Sequence, residues 1–153
     1  MSIELTCSAF QTGTTIPKQY TGDGGDKSPP LRWSEPPQGT QSLALICDDP
    51  DAPRGTWVHW VLFNLPAQTR ELDEGLPTTG TLSNGAKQGK NDFGKIGYGG
   101  PAPPKGKPHG YFFKLYSLDK AVELAPGATK AQLVKAIKGH ILAEGQLVGK
   151  YGR

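Results

Sequence analysis

Reactive side chains concentrate in two short stretches of this sequence. Cys47-Asp48-Asp49-Pro50-Asp51-Ala52-Pro53 leads directly to Trp57-Val58-His59-Trp60, and Gly97-Tyr98-Gly99-Gly100-Pro101-Ala102-Pro103-Pro104 leads to His109-Gly110-Tyr111. Together they hold two of the three histidines. Each joins a turn stiffened by Pro or Gly to an imidazole at the edge of an apolar run, which is how a polar pocket built from loops is held open on a rigid frame. The connection across 50–56 is short enough to make its flanking runs neighbours and so to let Asp49 meet His59. A carboxylate beside an imidazole favours the protonated ring, a charged donor suited to phosphate or carboxylate. His109 adds a second donor. Pro50, Pro53, Pro101, Pro103 and Pro104 fix φ and donate nothing, so they shape walls. The amides of Gly99, Gly100 and Gly106 can approach an anion closely. A small-anion pocket is the expectation.

Other readings of the same residues stay open. His59 equally suits a buried histidine satisfied by a backbone carbonyl, and His109 a plain loop histidine. Asp48 and Asp51 can simply cap turns, and His140, beside Lys138, Gly139 and Glu144, reads as a surface residue. Two histidines with Asp49 would suit iron or zinc, but no His-x-x-His or Cys-x-x-Cys spacing supports a metal. A nucleophile elbow, P-loop, dinucleotide fingerprint and kinase motif are all missing from the sequence. Cys47 falls on the same strand face as Asp49, yet its apolar neighbours describe an inert thiol. No catalytic residue, metal or cofactor is therefore assigned.

A length of 153 residues fits one domain, 1–153, able to bury a core without staples. The 21 glycines and 14 prolines are far above average usage, and with three tryptophans and several apolar runs they describe short strands joined by tight turns. A net charge of +3 with mixed signs gives no argument for nucleic acid. Between Ala86 and His109, however, Lys87, Lys90, Lys95, Lys105 and Lys107 face only Asp92 and promise a positive rim. Cys7 and Cys47 sit in strand-like runs and read as buried thiols rather than a disulfide. With no basic and apolar leader and no apolar run near ~18 residues, the expectation is a soluble, cytoplasmic protein that inserts in no membrane.

These stretches must be held by strands. Ile3, Leu5, Cys7 and Ala9 alternate with polar neighbours and predict a first strand. Leu31 to Ser34 can form a short piece between turns. Leu43 to Cys47, Trp57 to Asn64 and Tyr111 to Leu118 predict central strands. The Gly-rich segment from Asp73 to Pro104 reads as one long functional loop. Thr129 with Gln132 predicts a capping box, and Leu133, Val134, Ile137, Ile141 and Leu142 predict one helical stripe stopping at Gly145, with a final short strand over 146–151.

Phe10 with Ile16-Pro17, Tyr20-Thr21, Asp23-Gly24, Ser28-Pro29-Pro30-Leu31 and Trp33, then Asp49-Pro50-Asp51-Ala52-Pro53, Trp57 with His59, and Gly99-Gly100-Pro101 through His109 and Tyr111 resemble, in this order, the phosphatidylethanolamine-binding protein or Raf kinase inhibitor-like family. The resemblance implies a mainly β fold in which a large antiparallel sheet packs on a smaller one, with a C-terminal amphipathic helix. It implies an anion pocket for phosphate, acetate or a phosphorylethanolamine head, formed by Asp49, Pro53, His59, Ala102, Pro103, His109 and Tyr111. It also suggests a cis Ala52–Pro53 bond. Gly110 stands where many members carry Arg, and Ala102 where others carry Gly or Cys. The implied ligand is a phosphorylated small molecule. A protein partner such as a kinase, a homodimer and weak phosphoester hydrolysis stay open.

Overall fold

The computed structural model describes residues 2–153. In chain order its elements are β1 (Leu5–Thr6), a 3-10 turn (Lys18–Tyr20), β2 (Leu31–Trp33), β3 (Ser42–Asp49), β4 (Trp57–Pro66), β5 (Glu71–Leu72), β6 (Lys87–Gln88), β7 (His109–Leu118), α1 (Lys130–Ile137) and β8 (Ile141–Tyr151). A five-stranded sheet in the order β6-β4-β3-β7-β8 and a three-stranded sheet β1-β2-β5 are antiparallel throughout.

The sheets sandwich the main core. Leu43, Leu45 and Cys47 of β3, Trp60 and Leu62 of β4, and Phe113 and Leu115 of β7 meet Leu31, Trp33 and Leu72 of the small sheet. The opposite face of the large sheet carries Ala44, Ile46, Val61 and Phe63 and is closed by Leu133 and Ile137 of α1. Every residue of β3 is buried because the strand is covered on both faces, which is why its sequence is nearly continuous apolar rather than alternating.

The first strand shrinks to two paired residues, because the N-terminal segment also runs along β8: the Ile3 amide donates to the Glu144 carbonyl and the Ile16 amide to Lys150. That cover caps the long edge strand, which would otherwise offer unpaired backbone to other chains. The long segment after Asp73 does the same for β4. Beyond β6, the Gly89, Asp92 and Gly99 amides donate to the carbonyls of Val61, Val58 and His59.

The predicted helix is cut to half its length. Its capping box is present, with the Thr129 hydroxyl accepting from the Gln132 amide at 3.2 Å and the Gln132 side chain accepting from the Thr129 amide at 2.9 Å. The helix stops at Ile137, and Gly139 (φ 82°) turns the chain in the left-handed region. Ile141 and Leu142 belong to β8, where pairing with β7 overrides their helical spacing to Ile137: Ile141 pairs with Leu118, and Leu142 is the extra residue of a bulge before Ala143 pairs with Ser117. Val134 is exposed and lies off the buried stripe. Thr129→Ala should cost about 1 kcal/mol in urea unfolding; an unchanged midpoint would mean the box contributes nothing.

Candidate anion-binding site

His59 owes its direction to a β-bulge. Cys47 pairs with Trp60 but Asp48 pairs with Val58, so His59 is the extra residue of β4. Simple alternation from Trp60, which faces the inter-sheet core, would aim His59 toward α1. The bulge lets Trp60 and His59 share one side, while Val58 still packs on the helix side. The His59 ring stands edge-on to Tyr111, 5.1 Å between centroids, and to Phe93 at 5.4 Å. Its Nδ1 lies 2.6 Å from the Gly99 carbonyl. A carbonyl only accepts, so Nδ1 carries the proton and Nε2 is the free nitrogen.

Asp49 does not meet His59 as a partner. Its Oδ2 lies 2.7 Å from His109 Nδ1, and its Oδ1 accepts the Asp51 amide at 2.8 Å. Asp48 and Phe112 are opposite on the antiparallel β3 and β7, which brings Asp49 near the start of β7. Both Asp49 and His109 are buried. The carboxylate therefore orients His109 through Nδ1 and leaves that ring, like His59, with Nε2 as its unengaged nitrogen.

The two rings open on a cavity of about 170 Å³ lined by Asp49, Ala52, Pro53, Trp57, His59, Phe93, Ala102, Pro103, Pro104, His109 and Tyr111. All seven expected site residues are among them. Phe93, Trp57, Ala52 and Pro104 extend the expected set. Phe93 was the least readable: the only hint was an aromatic isolated in a polar, Gly-rich loop. The buried Asn91 side chain sets that turn, its Oδ1 accepting the Phe93 amide at 2.9 Å.

Three further expectations change. The Ala52–Pro53 bond is trans, as is every peptide bond among the described residues. The turn reverses instead through the Asp49–Asp51 hydrogen bond and Gly55 (φ 108°), whose amide donates to the Ala52 carbonyl, so the ordinary trans preference prevails. The glycine amides are not free for a ligand: Gly99 donates to His59, Gly100 to Asp26 Oδ1 at 2.7 Å, and Gly106 to Arg153. The lysine rim is dispersed as well. Among the described residues no lysine or arginine lines the cavity; Lys90 and Lys95 border other grooves.

Besides Arg153, whose Nη1 donates to the Pro103 carbonyl at 3.1 Å and whose charge reaches Tyr111, positive charge at the cavity must come from imidazole protons. Burial holds His59 below the ordinary imidazole range, and the Gly99 carbonyl and the Asp49, Asp26 and Asp48 carboxylates only partly offset it. Burial, reinforced by the Asp49 charge, pushes the Tyr111 hydroxyl up, so it stays neutral. The Cys47 thiol is buried and pushed well above its usual value, chiefly by desolvation, which makes it no nucleophile. Cys7 is the other free thiol.

Similarity to known proteins follows the same frame. The family model described as phosphatidylethanolamine-binding protein matches residues 6–152. A UPF0098 protein of Methanothermobacter thermautotrophicus is 49% identical over 151 residues, covering 99% of each chain. One of Aquifex aeolicus is 48% identical over 153 residues, covering 99% of this chain and 89% of its own. Among solved structures, Escherichia coli YbcL, titled a new member of the mammalian PEBP family, superposes with a TM-score of 0.92 at 34% identity over 100% of this chain and 99% of its own. Chlamydia trachomatis CT736, titled a putative phosphatidylethanolamine-binding protein homolog, gives 0.90 at 40% identity over 99% and 98%. With its two antiparallel sheets and a match spanning nearly every residue, the chain belongs to the phosphatidylethanolamine-binding protein family.

Proposed function

We propose that this protein is a binding module for a small anion, a phosphoryl group above all, rather than an enzyme. The observation that carries the reading is the pair of imidazoles, each anchored through Nδ1, around one small cavity walled by proline and aromatic side chains. Walls of this kind exclude water without competing for the ligand's oxygens. Among the described residues no Ser, Thr or Cys lines the cavity, and the nearby Cys47 thiol is buried and pushed well above its usual range, which leaves only the imidazole nitrogens as nucleophilic groups there. Free phosphorylethanolamine should bind in about the millimolar to micromolar range, because a few charge-assisted hydrogen bonds must offset the lost freedom of the ligand. The free thiols of Cys7 and Cys47 suit a reducing compartment, in keeping with action in the cytoplasm. Regulation of a kinase or another enzyme would be a consequence of this binding.

The test is proton-linked binding of sulfate, whose charge is constant near neutrality. With His59 held below the ordinary imidazole value of 6.5, the unfolded chain binds more protons at this residue than the folded one. Its contribution therefore lowers the stability of the unliganded protein as pH falls through and below that value. Sulfate accepting a hydrogen bond from protonated Nε2 draws the proton on, so its stabilising effect should grow between about pH 8 and about pH 5.5. His59→Ala should abolish the sulfate shift in melting temperature at both ends. A shift independent of pH and of His59 would refute the reading. Turnover of a phosphoester panel, lost in His59→Ala, would make the protein a hydrolase instead.

A further inference from the structure

We propose that the groove along α1 is a docking surface for an acidic, amphipathic segment of a protein partner. It lies across the large sheet from the inter-sheet core and has a volume of about 920 Å³, against about 170 Å³ for the anion cavity. That volume accommodates several side chains of a peptide. Its apolar lining comes from Val58 of β4 and from Ala131 and Val134 of α1, and Val134 is 45% exposed. Ala131 and Val134 stand in solvent beside Val58 and are bordered by charge, an arrangement that can seat an apolar side chain of a charged partner.

The border is basic. Lys90, Lys130, Lys135 and Lys138 line the groove, against the single carboxylate of Asp92. Asp92 is already committed, its Oδ2 accepting the Val58 amide at 2.6 Å. Lys130 is likewise engaged, 2.7 Å from the buried Asp48 carboxylate. Among the described residues, Lys90, Lys135 and Lys138 have no carboxylate within ion-pair distance. Three unpaired ammonium groups around an apolar strip complement a segment carrying Asp or Glu beside Leu- or Phe-like side chains.

The occupant is held by side chains rather than as an added strand. The amides facing this side of the loop already donate, Gly89 to Val61, Lys90 to Ala128, Asn91 to Lys95 and Asp92 to Val58. A groove without a free backbone edge favours an amphipathic helix laid along it.

Panning a displayed library of short random peptides against the intact protein, with counter-selection on the K90Q/K135Q/K138Q variant, tests this. The expected winners are rich in Asp and Glu, with apolar residues at helical spacing. The strongest should shift the amide resonances of Val58, Ala131 and Val134, bind about tenfold more weakly to the triple variant, and lose binding to Val134→Asp once its fold is confirmed by circular dichroism. His59→Ala should bind the same peptide unchanged, which separates this site from the anion cavity. Winners without acidic enrichment, binding that ignores the three lysines, shifts mapping elsewhere or no winners at all would overturn the proposal. Binding to phosphatidylglycerol vesicles through the same lysines, with no peptide selected, would replace the partner by a lipid surface and equally overturn it.

Discussion

Asp49→Ala is expected to lose about 1 to 3 kcal/mol of folding stability together with all anion-induced stabilisation. The carboxylate is buried, and both of its oxygens are occupied, one by the Asp51 amide and the other by His109 Nδ1. Truncation orphans the buried His109 Nδ1–H and the part-buried Asp51 amide at once. The loss should exceed that of an exposed rim residue for this reason. It should also free the His109 ring to rotate, so that its Nε2 no longer meets the ligand. Asp49→Asn keeps the volume and one good acceptor, and should recover most of the stability while leaving anion binding impaired. Urea unfolding with and without sulfate separates the two effects. Wild-type stability and a wild-type sulfate response in Asp49→Ala would show that the pair positions nothing.

Gly100→Ala should cost about 1 to 3 kcal/mol and weaken anion binding without touching the cavity. A Cβ at this position would lie 2.6 Å from the Tyr20 carbonyl oxygen, 2.6 Å from Asp26 Oδ1 and 2.9 Å from Thr21 Cα. Two of these three are backbone atoms, which cannot rotate out of the way. Relief requires the loop to move, and the same loop carries the Gly99 carbonyl that fixes His59 and the Ala102-Pro103 wall. The Gly100 amide also donates to Asp26 at 2.7 Å, an anchor that the displacement would stretch. Chemical denaturation measures the first effect and sulfate titration the second. A stable variant with unaltered sulfate affinity would mean that the loop is not what sets the ring.

Much of the scaffold was legible because burial leaves its mark on composition, on both faces for β3 and chiefly on one for β7. Leu43 to Cys47 and Tyr111 to Leu118 could be little else than central strands, and Thr129 with Gln132 marked a helix start through chemistry local to four residues. The site residues were legible as types: two imidazoles, an aspartate, and prolines that can only build walls. Their partnerships were not. Asp49 pairs with His109, sixty residues away, because β3 and β7 are neighbours in the sheet, whereas loop length suggested the sequence-adjacent β4. The Gly amides went to protein acceptors for the same reason, since only the packed loop shows which acceptors stand opposite them. Residues 138–145 carry a spacing that serves either helix or strand, and the waiting edge of β7 decided for strand. His59 is the sharpest case. Its identity is local, but the face it occupies depends on one unpaired residue in a ladder, and a strand's period of two flips every side chain for each such slip. Sequence by itself therefore determined the strands, the helix start and the chemistry on offer. The tertiary pairing decided which imidazole meets which acceptor and that both open on one cavity, because those contacts join strands whose adjacency no local pattern encodes.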